Sequence, residues 1–107
     1  MDSDQVDLQK IADTIVRSVH PHSVYLFGSR ATGAARIDSD YDFLIVVDQL
    51  EHSRFREIDR IRKLLSQFDI AKDILLFTQD EFNEWKGSLN HVAGRAFREG
   101  RLLYARH

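Results

Sequence analysis

The apolar run Phe43-Leu44-Ile45-Val46-Val47 constrains this chain most. Five consecutive apolar residues fall far short of the roughly 20 needed to cross a membrane, and they read as a buried strand. Its front end is Asp40-Tyr41-Asp42. Side chains alternate along a strand, so Asp40 and Asp42 share a face and Tyr41 takes the other. Two neighbouring carboxylates repel unless something positive lies between them, and a divalent cation is the usual answer. A second apolar run, Val24-Tyr25-Leu26-Phe27, ends at Gly28-Ser29, which ten residues separate from Asp40. The stretch from Gly28 to Asp42 is therefore a candidate metal–nucleotide site.

The remaining elements follow from periodicity. Leu8, Ile11, Ala12, Ile15 and Val19 recur at helical spacing, with Ser3 or Asp4 as the expected N-cap and Pro21 as the stop. Arg30 to Ser39 reads as a loop of small and polar residues. Phe55, Ile58, Ile61, Leu64, Leu65 and Phe68 mark a second amphipathic helix with Ser53 near its start. Asp73-Ile74-Leu75-Leu76-Phe77 reads as a third strand. Thr78 and Glu81 have capping-box spacing and open a helix through Phe82 and Trp85, ending at Gly87. Ser88 is the expected cap of a fourth helix through Leu89, Val92, Ala93, Ala96 and Phe97, stopped at Gly100. Leu102-Leu103-Tyr104 completes the order as a short strand. The pattern predicts an α/β (α+β) fold, a small mixed sheet with flanking helices, in one domain over residues 1–107.

Composition closes several alternatives. The chain has no cysteine, which excludes disulfides, thiolate metal sites and a cysteine nucleophile. A net charge of -2 argues against non-specific nucleic-acid binding. The acidic start Met1-Asp2-Ser3-Asp4 lacks the layout of a signal peptide, so a cytoplasmic protein with no membrane association is expected.

Glycine allows close backbone approach, and exposed amides with the Ser29 hydroxyl can hold a phosphate oxygen at Gly28-Ser29. An isolated Gly-Ser is more often an ordinary turn, and a lone Asp-x-Asp is a weak signal; the combination carries the weight. If the third strand pairs beside the Asp40–Asp42 strand, Asp73 brings a third acid to the same end of the sheet. Two divalent ions clamped there suit an in-line phosphoryl displacement, with Asp73 placed to activate the incoming hydroxyl. Arg30 is read as a phosphate contact, with a surface pair to Asp38 as the alternative. The basic run Arg54, Arg56, Arg60, Arg62 and Lys63 is most simply a solvated face, and a partner-docking or RNA-facing surface is the sharper reading. The five histidines show no mutual metal-ligand spacing. Trp85 reads as core or partner contact.

Gly28-Ser29, the ten-residue spacer, Asp40-Tyr41-Asp42 and then Asp73 resemble the signature of the DNA-polymerase-beta-like nucleotidyltransferase superfamily. The short chain is similar to its minimal bacterial and archaeal members. The resemblance implies magnesium on Asp40, Asp42 and Asp73, two ions being expected, and triphosphate binding at Gly28 and Ser29, with ATP as substrate. It further implies an antitoxin that transfers AMP to a tyrosine of a HEPN-domain ribonuclease toxin. One departure is Thr32, where many relatives carry a second arginine. The alternative function is a non-catalytic antitoxin that acts by binding and occlusion. A small-molecule modifier is disfavoured because 107 residues leave little room for a second wall around a small acceptor.

Overall fold

The computed structural model describes residues 7–36 and 39–106. Ser3 and Asp4, the expected caps of the first helix, lie outside the described residues. Within them, helix α1 (Leu8–Val19) is capped by Asp7, whose carboxylate accepts from the Lys10 amide at 3.1 Å. Strand β1 (Ser23–Phe27) follows, then a helical turn α2 (Ser29–Thr32) where a loop was expected. Strand β2 (Tyr41–Val47) leads to α3 (Arg54–Leu64), capped by Ser53 and continued by a 3-10 turn at Leu65–Gln67. Strand β3 (Lys72–Thr78), α4 (Gln79–Trp85), α5 (Val92–Glu99) and β4 (Arg101–Ala105) complete the order. No described helix is long and apolar enough to cross a membrane.

The four strands form one mixed sheet in the order β3-β2-β1-β4. β1 runs antiparallel to β2 and β4, whereas β2 and β3 are parallel. A parallel pair needs a crossover, and α3 supplies it. Residues Phe43 to Val47 are buried on both sides, which explains their unbroken apolarity. Phe43, Ile45 and Val47 pack with Val24, Leu26, Ile74 and Leu76 against Ile11 and Ile15 of α1 and Ile61 of α3. Leu44 and Val46 pack on the opposite face against Phe82, Ala93 and Ala96 of α4 and α5. Each buried Leu, Ile or Phe contributes about 1.5–3 kcal/mol, so two filled faces fix the strand register.

α5 begins at Val92, not at the expected Ser88 cap. His91 caps it, its Nδ1 accepting from the Ala93 amide at 3.0 Å. Arg98 reaches back to the carbonyls of Ser88 (3.0 Å) and Leu89 (3.4 Å), and the His91 ring stacks on Trp85. Those contacts hold residues 88–91 as a turn and leave Leu89 in solvent.

The predicted capping box of α4 is present. Thr78 Oγ1 accepts from the Glu81 amide, and Glu81 accepts from the Thr78 amide at 2.9 Å. Arg54 adds an ion pair to Glu81 at 2.6 Å, tying α3 to α4. The Thr78 amide first, then Arg54, hold the Glu81 carboxyl below its ordinary range. Glu81→Ala should lower stability by about 1 kcal/mol at neutral pH. A depressed folded-state value makes that contribution complete above the ordinary glutamate range, and it fades as pH falls through the lowered value. Urea melts of both proteins at about pH 7 and about pH 3 should show the gap closing in acid.

Candidate active site

Two strand registers assemble the site. Antiparallel pairing sets Phe27 opposite Asp42, so Gly28, the next residue of β1's chain, lands beside the Asp42 carboxylate. Parallel pairing sets Asp42 opposite Asp73. Alternation places both acids on the sheet face that Leu44, Val46, Leu75 and Phe77 share, the face covered by α4 and α5. Asp40, two residues ahead of Asp42, lies just before the strand. Asp40 and Asp73 are exposed and Asp42 is half-buried.

Burial pushes the Asp42 carboxyl up from its ordinary range, and the charges of Asp73 and then Asp40 push it the same way. All three causes oppose placing negative charge there, and a cation would reverse the two charge effects. Among the described residues, no three His, Asp or Glu side chains converge tightly enough to cage an ion unaided. The acids share one end of the sheet without meeting at a point, as expected of like charges. The donor set still fits magnesium. That ion is characteristically held by one or two carboxylates, with substrate phosphates and water filling its other positions.

Gly28 lies against the Asp42 carboxylate. Its φ of 75° favours glycine, and a Cβ built there would collide with the Asp42 carboxylate. The chain then turns at once into α2, whose carbonyl at Gly28 accepts from the amides of Ala31 and Thr32. The Ser29 amide opens this turn and has no acceptor within it. Ser29 is half-buried next to Gly28. Thr32, at the position of the missing arginine, is exposed and its hydroxyl faces the Ser29 carbonyl at 3.4 Å.

Arg30 performs a task that sequence reading missed. Its Nε and one Nη donate to the Ser39 carbonyl at 3.2 and 2.9 Å, and its guanidinium lies over the Tyr41 ring at 4.4 Å. Arg30 thereby ties the Gly28-Ser29 turn to the residues flanking Asp40. Asp38, its alternative partner, lies outside the described residues. The cue was an arginine ten residues before an Asp-aromatic-Asp run, but only the folded loop closes that distance. Arg30→Lys cannot reproduce the planar fork and should lower stability by about 1 kcal/mol. Urea melts of wild type and variant measure this.

The family pattern described as Polymerase beta, Nucleotidyltransferase matches residues 9–107. The chain belongs to that nucleotidyltransferase family. No curated protein matches it. Among solved structures, it is similar to a protein assigned to the nucleotidyltransferases from Sulfolobus solfataricus, at 21% identity and a TM-score of 0.60, covering 92% of this chain and 78% of that one. It is also similar to the toxin–antitoxin pair MntA–HpeT in a mutant form, at 15% identity and a TM-score of 0.70, covering 95% and 76%. A further protein assigned as a nucleotidyltransferase matches at 26% identity and a TM-score of 0.59, covering 91% and 97%. These likenesses carry the fold.

Proposed function

We propose that residues 1–107 act as one catalytic domain, a magnesium-dependent nucleotidyltransferase. It transfers AMP from ATP to a tyrosine hydroxyl of a HEPN-domain ribonuclease toxin and so neutralises that toxin. The observation that carries the reading is the register that sets Asp42 opposite Asp73 with Gly28 against Asp42. Similarity to the MntA–HpeT pair supports the antitoxin role.

Asp40, Asp42 and Asp73 would hold the metal, two ions being expected. Magnesium, when bound, supplies positive charge that neutralises the phosphates and stabilises the displacement. Gly28 and Ser29 bind and orient the β- and γ-phosphates. Arg30 holds the loop that aligns this turn with the acids, and phosphate contact by its guanidinium is part of the same proposal. Asp73 accepts the proton of the tyrosine hydroxyl. The hydroxyl oxygen bonds to the α-phosphorus, the bond from that phosphorus to the bridging oxygen breaks, and pyrophosphate leaves. The proposed setting is cytoplasmic.

Incubation with α-labelled ATP, magnesium and the product of the adjacent gene tests the reading. Label on that product, lost when its tyrosine is changed to phenylalanine, is the expected result. Binding of the two proteins with no label transfer, and no Mg-ATP binding, would favour occlusion alone.

A further inference from the structure

One helix carries five of the chain's 15 lysines and arginines. α3 carries Arg54, Arg56, Arg60, Arg62 and Lys63 against Glu57 and Asp59. The whole chain has a net charge of -2, so the rest of it is net negative. Arg54 is paired with Glu81, and Lys63 with Asp59. Arg56, Arg60 and Arg62 have no ion pair among the described residues, and all three are exposed. Ile58, Ile61 and Leu64 turn inward. A rotation of about 100° per residue therefore directs Phe55, Arg56, Asp59 and Arg62 outward.

Phe55 is 83% exposed. It stands on this charged face with most of its surface in solvent. Burying such a ring is worth about 1.5–3 kcal/mol, and aromatic and arginine side chains are what protein interfaces concentrate. We propose that the outer face of α3 docks the acceptor protein, through an acidic surface on that protein with an apolar recess for Phe55. This rests on the reading of the chain as an enzyme that modifies a protein. Charge complementarity selects the occupant. The basic face attracts an acidic partner. Glu57 and Asp59 within the helix would repel a phosphate backbone, and α3 exposes no second aromatic for base stacking.

The position of α3 gives this surface a distinct task. α3 packs on α1 and β3, on the sheet face opposite Asp42 and Asp73, and β3 is an edge strand. A partner held there leaves the transfer site open. Its acceptor hydroxyl reaches Asp73 on a segment that passes round the β3 edge.

The test titrates the adjacent gene's purified product into wild type, Phe55→Ala and the double variant Arg56→Glu/Arg62→Glu. Mg-ATP titrations and melting curves are run on the same samples. Each variant should bind the partner at least about 10-fold more weakly. Mg-ATP affinity and melting should match wild type, since no changed residue is buried or near the acids. Raising salt from about 0.05 to about 0.5 M should weaken wild-type docking far more than that of the charge-reversal variant. Partner binding unchanged in both variants, or absent from the wild type, overturns the proposal. So does loss of binding to a labelled single-stranded RNA, or a shift in sedimentation of the protein alone, with partner affinity retained. Failure of Mg-ATP to bind the wild type would instead overturn the catalytic reading.

Discussion

Asp42→Asn is expected to reduce nucleotidyl transfer on the order of 10³-fold while leaving the protein folded. A metal held at a displacement centre supplies several kcal/mol of charge stabilisation, and each 1.4 kcal/mol is about tenfold in rate. Asn keeps the shape of Asp but removes the charge that would hold the proposed metal. The same change should leave the metal-free protein no less stable. The wild-type carboxyl sits where burial first, and Asp73 and Asp40 next, oppose its ionisation. Magnesium should raise the melting temperature of the wild type and leave that of the variant unmoved. Paired melting curves with and without magnesium, beside a transfer assay, read both effects. Activity surviving in the variant would show the site assignment to be wrong.

Gly28→Ala should cost about 100-fold or more in transfer together with about 1–3 kcal/mol of stability. The stability loss comes from forcing an L side chain to a φ of 75°. The activity loss has a separate origin. The new Cβ occupies the space of the Asp42 carboxylate, and displacing a reacting geometry by about 1 Å costs on the order of 100-fold. Gly33 provides the control. Its φ is 84°, but a Cβ there meets nothing within 4 Å. Gly33→Ala should therefore lower stability and spare the rate at temperatures where the variant is folded. Urea melts and initial rates on the two variants separate strain from misplacement.

The parts of the fold legible in the sequence were those with a strong local cause. Phe43 to Val47 announced a buried strand because both of its faces are covered. Thr78 and Glu81 announced α4 because a capping box is made by residues three apart. The alignment of Asp42 with Asp73 was legible as a condition only. Spacing placed each acid at a strand start, but parallel pairing through α3 had to bring the starts together. Two features depended on distant contacts. His91 displaced Ser88 as the cap of α5 because Arg98 takes the Ser88 and Leu89 carbonyls. Arg30 acts as a brace because the folded loop delivers the Ser39 carbonyl and the Tyr41 ring to it. Periodicity carries no information on either.

Calorimetric titration of Mg-ATP tests most directly whether the acids and the Gly28-Ser29 turn form one nucleotide site. The expected result is saturable binding by the wild type that needs the divalent ion and is lost in both Asp42→Asn and Gly28→Ala. Binding that survives in both variants, or its absence from the folded wild type in the presence of magnesium, would contradict the account.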